Sequence, residues 1–220
     1  MARLKYRRKR FLRRSKLNRK ASLIMAEKKV KSQLREWVES ILIALVIAVF
    51  IQTFIIQAFK IPSGSMVPTF KIGDRIFVYK FLYSARVPFI NLRLPILDIK
   101  QPKRGDIIVF ASPEDPKKDF VKRLIALGGE TVEIKDGKIF INGKELTSPE
   151  SIASVYYYNA GDYGREGTAV TVPQDCYFTL GDNSANSRDS RYWGFVPKKN
   201  LIGKAVFIYW PLYRMKIIKE

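Results

Sequence analysis

The sequence predicts a mainly β protein, in which a single N-terminal transmembrane helix precedes an extracytoplasmic antiparallel β-sheet core. Three observations support this class. One long run without charge lies at residues 41–59, and short runs of β-branched and aromatic residues follow it. These short runs do not alternate with helical patterns. At 220 residues and 47% hydrophobic content, the chain can form one domain of ordinary size with additional segments.

Residues 1–36 form a basic cytoplasmic tail in this prediction. Residues 1–35 contain 15 Lys and Arg and one acid, a net charge of +14 within a chain of +20. Such a charge can bind nucleic acid, but a basic segment that leads into an apolar one is more typical of attraction to anionic lipid. Residues 1–24 could be dispensable, because a chain beginning at Met25 would keep four basic residues before the apolar run.

Residues 37–59 are predicted to be a transmembrane anchor. As a helix, residues 41–59 would be about 28 Å long, which matches the hydrocarbon thickness of a bilayer. The basic residues on its N-terminal side orient that end toward the cytoplasm. A cleaved signal peptide has the same order of segments, but its apolar region is shorter and ends in a small-x-small site, so we expect an uncleaved anchor.

Beyond residue 60 the pattern is that of short β-strands bounded by turn residues. The clearest element is TVEIKDGKIFING, which predicts two strands around Asp136-Gly137 and a second turn at Asn142-Gly143. Residues 144–174 are expected to be a loop-rich segment that contains several tyrosines. The predicted strands are DRIFVYKF, DIIVF, TVEI, KIFI, CYFTL and KAVFIYW.

The residue types that are absent restrict the chemistry. The chain has no histidine, which excludes a Ser-His-Asp triad, a Cys-His pair and a His-ligated metal. Its one cysteine, Cys176, cannot form an intramolecular disulfide or a thiolate metal site, and we expect it to pack as a small hydrophobe. We therefore expect no metal and no cofactor.

The segment IPSGSMVPT at residues 61–69 presents two serines, Ser63 and Ser65, on a short stretch with a proline near each end. In a chain without histidine, a serine nucleophile can be activated by a lysine whose neutral amine takes the hydroxyl proton. That lysine must be buried, because an exposed lysine has a pKa of about 10.4 and is almost wholly protonated at neutral pH.

Three lysines have the apolar neighbours that burial requires, and local sequence does not choose among them. Lys122 lies in FVKRLIAL, Lys138 in GKIFI and Lys204 in GKAVFI. A lysine on the solvated face of a strand is the alternative for each of them. Strand alternation would turn Arg123 to the face opposite Lys122.

The segment GDNSANSRDSRYWG at residues 181–194 has the composition of a turn, and a hydrogen-bonded surface loop would explain it. It also contains more polar groups than such a loop needs. Ser187, Asp189 and Arg191 could form a shell that orients a buried amine.

Taken together, five segments resemble the bacterial type I signal peptidases, or leader peptidases, which are membrane-anchored serine endopeptidases with a Ser-Lys dyad. The resemblance implies cleavage of signal peptides from secreted preproteins after Ala-x-Ala sites. It also implies the bacterial cytoplasmic (inner) membrane as location, proximity to the export machinery, and a catalytic core at residues 60–128 and 175–220 with an inserted β-hairpin/loop subdomain at residues 129–174. The segments are IPSGSMVPT, GDRIFVYKF, RGDIIVF, FVKR and GDNSANSRDSRYWGFVP.

The resemblance assigns a role to each site residue. It implies that Ser65 is the nucleophile, that Lys122 is the general base, and that the Ser63 hydroxyl joins the Ser65 amide in the oxyanion hole. It further implies that Ile61 and Val121 help to shape the pockets for small substrate side chains.

The same resemblance implies supporting roles in the loop at residues 181–194. Ser187 would hydrogen-bond the lysine, and Asp189 and Arg191 would hold the loop together. The sequence departs from the family's GDNRDNS at two positions, where Ser184 and Ala185 replace Arg and Asp. The departure puts a local salt bridge in doubt and leaves the dyad untouched.

Two other classes of protein share parts of this pattern. One is a self-cleaving regulator with a Ser-Lys dyad, which would normally lack an anchor. The other is a non-catalytic membrane-tethered β module whose basic tail binds lipid or nucleic acid.

Overall fold

The computed structural model describes residues 33–80 and 101–218. Residues 1–32 of the predicted basic tail therefore lie outside the described residues, and so do residues 81–100 of the predicted catalytic core. The chain divides into two units, Met1–Phe50 and Ile51–Glu220.

In the first unit, residues 33–50 form helix α1. Its side chains are exposed along the whole helix, including those of Trp37, Ile41 and Val46. Within the part of the chain that the structure describes, no helix combines the length and the apolar character needed to cross a membrane. The transmembrane anchor over residues 37–59 stays a prediction.

The second unit begins with the end of the same apolar run, which is not helical throughout. A π-helical turn covers Ile51–Ile55, and Ile56–Lys60 is strand β1, paired antiparallel with β2 at Arg75–Tyr79. The helix expected to continue to residue 59 therefore ends earlier. Hydropathy does not distinguish a helix from a strand here, because an apolar run suits a buried strand as well as a helix. The strand forms because β2 supplies its backbone hydrogen bonds.

Two antiparallel sheets make up the described part of the second unit. Besides β1 and β2, their strands are β3 (Ile107–Ala111), β4 (Asp119–Leu127), β5 (Thr131–Lys135), β6 (Lys138–Ile141), β7 (Lys144–Glu145), β8 (Val170–Thr171), β9 (Cys176–Leu180), β10 (Val196–Pro197), β11 (Leu201–Trp210) and β12 (Lys216–Ile217). The larger sheet has the order β1-β2-β11-β3-β4-β9-β10, with β12 beside β11, and the smaller has the order β7-β6-β5-β8. The prediction of a mainly β fold is confirmed. Two short helices are α2 (Glu150–Ala153) and α3 (Ser190–Trp193).

The smaller sheet is built on the hairpins that the sequence predicts. Asp136 and Gly137 connect β5 to β6 with φ angles of 50° and 76°, and Asn142 and Gly143 connect β6 to β7 with 52° and 76°. These positive φ angles are what a type I′ turn requires, so both turn predictions are confirmed.

Clusters of buried apolar side chains pack on the larger sheet. One cluster of buried side chains lies between the segment after β1 and strands β2, β3 and β11, and it includes Ile61, Met66 and Phe70. A second cluster joins β4 and β9 to the smaller sheet, and Cys176 packs against it as expected. Both ends of β4 are thereby fixed against buried side chains.

Candidate active site

The segment between β1 and β2 is a closed loop that presents its serines outward. Backbone hydrogen bonds of 2.8 and 2.9 Å join Ile61 to Asp74 and Gly73, which brings the ends of the loop together. Ser63 is exposed and Ser65 is half-buried. Three apolar side chains of the loop are buried beneath it: Ile61, Met66 and Phe70.

Strand β4 brings Lys122 to the nucleophile candidate. Lys122 Nζ donates a hydrogen bond of 2.6 Å to Ser65 Oγ, although the two residues are 57 positions apart in the chain. The lysine is only 2% exposed, and the ring of Phe120 lies 6.0 Å from Nζ. The structure therefore places together the serine and the lysine that the resemblance selects.

Burial makes the charge on Lys122 unfavourable. Loss of hydration lowers its pKa from 10.5 to about 8; the negative charges of Asp189 and Asp182 act in the opposite direction, and the positive charge of Arg191 lowers it further. With that pKa, roughly a tenth of the lysine is neutral at pH 7. A neutral amine in contact with a hydroxyl can accept its proton.

The other two lysine candidates have different surroundings. Lys138 is 57% exposed and forms an ion pair of 2.7 Å with Glu145 in the smaller sheet. Lys204 forms an ion pair with Asp106, which stabilises its charged form. Neither has the combination of deep burial and a serine partner that Lys122 has.

A cleft of 290 Å³ opens beside the two serines. Ile61 and Val121, predicted to shape substrate pockets, both line it, and Ser63 and Ser65 lie on its wall. Its other lining residues were not selected from the sequence: Pro62, Met66, Lys118, Asp119 and Phe120.

Ser187 lies close to the dyad but does not make the expected hydrogen bond. Its Oγ is buried and has no hydrogen-bond partner among the described residues. A side chain at Gly181 would lie 2.2 Å from Ser187 Oγ and 2.5 Å from the backbone oxygen of Ser65. Glycine is therefore required at position 181, where the chain passes between Ser187 and the backbone of the loop between β1 and β2.

Asp189 and Arg191 are buried at the centre of the loop. Arg191 donates to the two carboxylate oxygens of Asp189 at 2.8 and 2.9 Å, and Asp189 also accepts a 3.0 Å hydrogen bond from Gly181 N–H. Ser184 Oγ accepts from Arg191 Nη1 and from Tyr158 N–H, each at 2.9 Å. Ser184 is thus a neutral partner for Arg191 at the position where the sequence departs from GDNRDNS.

A buried ion pair that the sequence analysis missed links β4 to the start of this loop. Arg123, next to Lys122, donates two hydrogen bonds of 2.7 Å to the carboxylate of Asp182. The same carboxylate accepts a hydrogen bond of 2.5 Å from Thr69 Oγ1. The sequence could have indicated this ion pair, because an arginine within a strand as apolar as β4 must have a buried partner.

Asn183 was also missed, and it contacts the backbone of the loop between β1 and β2. Its N–H donates to the carbonyl of Ser65, and its Nδ2 donates to the carbonyl of Gly64, each at 3.0 Å. Asn is common in turns, so the sequence gave no reason to select Asn183 as a site residue.

The chain combines an antiparallel β fold, a serine hydrogen-bonded to a buried lysine, and no histidine. This combination is what a serine peptidase without a histidine base would have. Residues 34–210 match the family described as signal peptidase, peptidase S26. The chain belongs to this family.

Similar proteins agree with this placement. The chain is 37% identical to a signal peptidase I from Leptolyngbya laminosa over 197 residues, which cover 86% of each chain. It is 35% identical to signal peptidase I P from Bacillus subtilis subsp. natto, over 88% of this chain and 98% of that one. A crystal structure of a signal peptidase I from Enterococcus faecalis V583 is 42% identical over 48% of this chain and 97% of that one, with a TM-score of 0.40.

Proposed function

We propose that this protein removes N-terminal signal peptides from exported preproteins with a Ser-Lys dyad, in which Ser65 is the nucleophile and Lys122 is the general base. The family supplies the reaction, which is that of a serine endopeptidase acting on signal peptides. The observation that carries the assignment of residues is the 2.6 Å hydrogen bond between Lys122 Nζ and Ser65 Oγ.

In the reactive state, Lys122 is a neutral amine and accepts the proton of Ser65 as Oγ attacks the scissile carbonyl carbon. The Ser65 N–H and the Ser63 hydroxyl donate hydrogen bonds to the resulting oxyanion. Protonated Lys122 then gives its proton to the leaving amine as the C–N bond breaks, which leaves an ester on Ser65. Water, deprotonated by the same lysine, hydrolyses the ester and restores both side chains.

Three residues of the loop at 181–194 support the dyad in this mechanism. The ion pair of Asp189 and Arg191 fixes the loop, and Arg191 also bonds the backbone oxygen of Ser187 at 3.2 Å. The Ser187 hydroxyl is buried beside the dyad and has no partner among the described residues, so a rotation of its side chain can offer it to Lys122. Such a bond would orient the amine toward the Ser65 proton.

The cleft suits an extended peptide with small side chains at positions −1 and −3 from the cut. Ile61 and Val121 line it with apolar bulk, so alanine should be preferred at both positions. The double variant Ile61→Ala, Val121→Ala should cleave peptides with larger residues at these positions. Unchanged selectivity in a competition between peptides would show that other residues form the walls.

We infer a single-pass location in the bacterial cytoplasmic membrane, with the N-terminus in the cytoplasm and the catalytic unit outside. The uncharged run at residues 41–59 and the exposed apolar side chains over residues 41–50 of α1 support this location, because a helical stretch that is apolar on all sides needs an apolar environment. The charge of residues 1–35 sets the orientation. Preproteins that leave the export machinery would reach the cleft there.

Exposed apolar side chains of the second unit support contact of this unit with lipid. Ile72 borders the nucleophile segment, since its Cδ1 lies 4.0 Å from where a Cβ on Gly64 would be. An ion pair of 2.9 Å between Arg214 and Asp74 holds the last described segment against the same loop. The exposed large apolar residues of this unit include Ile72, Trp210, Leu212, Tyr213, Met215 and Ile217.

Cleavage of a peptide with an Ala-x-Ala site by the purified protein in detergent tests the dyad. Ser65→Ala should abolish activity, whereas Ser63→Ala should lower kcat by about 10²- to 10³-fold, the usual effect of losing one oxyanion donor. Lys122→Arg should be inactive, because a guanidinium does not lose its proton in this range. Lys138→Ala is the matched control and should keep wild-type activity. A folded Lys122→Ala protein with near wild-type activity would exclude the dyad.

A further inference from the structure

Asn183 fixes the backbone on which the nucleophile candidate lies. Its backbone N–H and its Nδ2 donate hydrogen bonds of 3.0 Å to the carbonyl oxygens of Ser65 and Gly64. These two carbonyls flank the Ser65 amide in the chain. Their hydrogen bonds therefore restrict rotation of the peptide unit that orients Ser65.

Asp182 joins the other end of the same loop to the strand of the base. Thr69 donates to its carboxylate at 2.5 Å, four residues beyond Ser65. Arg123, the neighbour of Lys122 on β4, donates to both oxygens of that carboxylate at 2.7 Å. The side chain of Asp182 is only 3% exposed, so water competes little for these hydrogen bonds.

We propose that Asp182 and Asn183 form a clamp that sets the separation of Ser65 Oγ and Lys122 Nζ, and that Thr69 is a positioning residue that closes it. The dipeptide holds the nucleophile segment at two points and is tied to β4 by Arg123. This inference rests on the proposed function, because it concerns the alignment of the same dyad.

The clamp lies outside the cleft, so loss of the clamp should affect kcat more than KM. Thr69, Asp182 and Asn183 are not among the residues that line the cleft. Loosening the clamp should therefore misalign the dyad and leave the walls that bind the peptide in place. A misplacement on the order of 1 Å costs up to about 100-fold in rate, so kcat should fall while KM changes little.

A second effect follows from charge. The carboxylate of Asp182 raises the pKa of Lys122, in opposition to burial. Removing the Thr69 hydroxyl takes one hydrogen bond from that carboxylate and strengthens its field at the amine. The rise of kcat/KM with pH should then shift to higher pH, which a loss of packing far from the dyad would not cause.

The first test compares Thr69→Val with Thr69→Ser in the full-length protein. Valine has the shape of threonine without the hydroxyl, and should lower kcat by about 10- to 100-fold with a KM within about twofold of wild type. Serine restores the donor and should recover most of the rate. Thr171→Val is the matched control and should behave as wild type, because the Thr171 hydroxyl lies in the smaller sheet, 3.2 Å from the hydroxyl of Thr131.

Asn183→Asp is the second test of the clamp, and it keeps the clamp testable if Thr69→Val fails to fold. It keeps the shape of the side chain but replaces the donor with an oxygen that repels the carbonyl of Gly64, so kcat should fall at least 10-fold. Asn200→Asp, which removes a 3.0 Å hydrogen bond to the Ala111 carbonyl, is its control and should keep kcat.

Ser65→Ala and Lys122→Ala, assayed in parallel, separate the two hypotheses. If either retains activity, the dyad assignment fails. If both are inactive while folded Thr69→Val and Asn183→Asp keep wild-type kcat and pH profile, the dyad stands and the clamp is wrong. A Thr69→Ser protein as slow as Thr69→Val would also overturn the role of the hydroxyl.

Discussion

The buried position of Lys122 in the folded protein disfavours the positive charge that a lysine carries in water. Burial lowers its pKa from 10.5 to about 8, a difference of about 3 kcal/mol between the charged and neutral forms. Hydrogen bonding to Ser65 offsets a part of this cost. The same burial that weakens the fold produces the neutral amine that the proposed mechanism needs, so activity and stability should respond to pH through one group.

The first prediction concerns activity against pH. Because the neutral amine of Lys122 is the active form in the proposed mechanism, kcat/KM should be low near pH 6, should rise through about pH 8, and should level off above it. Steady-state rates with an Ala-x-Ala peptide between pH 6 and 10 measure this rise. A profile that is flat over this range would show that Lys122 does not titrate in the reaction.

The second prediction is that Lys122→Met stabilises the inactive protein at pH 7. The folded-state pKa is below the unfolded one, so stability falls as pH falls from about 10.5 to about 8, and the loss is complete below that range. Removing the amine should raise the free energy of unfolding by about 1 to 3 kcal/mol at pH 7, and by much less at pH 10. Thermal unfolding of both proteins at both pH values measures this difference; an equal gain at pH 10 would exclude the charge as its cause.

At the scale of single residues, the candidate site residues were easier to predict from the sequence than the contacts between them. The apolar neighbours of Lys122, Lys138 and Lys204 are alike in sequence, and only the pairing of distant strands distinguishes a lysine beside a serine from one beside a carboxylate. Rotamers also lie beyond local sequence, so the bond expected from Ser187 to the lysine could not be checked before the packing was known.

At the scale of elements, turn chemistry was more informative than hydropathy. Asp136-Gly137 and Asn142-Gly143 fix local dihedral angles, so the hairpins they connect were predictable from a few adjacent residues. The run at residues 41–59 contains no such local signal. Its last residues form β1 because β2 lies beside them, which is information from a distant part of the chain.

The third prediction compares two glycines of the smaller sheet that have the same φ of 76°. Gly143→Ala should cost about 1 kcal/mol, because a Cβ is disfavoured at positive φ but has open space around it. Gly137→Ala should cost about 2 kcal/mol or more, since its Cβ would also lie 2.1 Å from the ring of Tyr156. Thermal unfolding measures both; equal shifts would mean that Tyr156 moves aside without cost.

At the scale of the whole molecule, charge and apolar surface are separated along the chain. Residues 1–24 contain eleven Lys and Arg and no acid, whereas every proposed site residue lies beyond residue 60. The exposed apolar side chains of the second unit include Trp210, Leu212 and Tyr213. We therefore expect attraction to lipid and catalysis to be separable functions of the chain.

The last prediction is that deleting residues 1–24 leaves cleavage of an Ala-x-Ala peptide in detergent unchanged and weakens binding to anionic vesicles. Four basic residues between Met25 and residue 36 remain to set the orientation. Each basic residue near an anionic surface contributes about 1 kcal/mol, so the full chain should float with such vesicles more strongly than the truncated one. At about 0.5 M salt the Debye length is only a few Å, so most of this difference should disappear. Loss of peptidase activity in detergent, or flotation that neither the deletion nor salt changes, would contradict this separation.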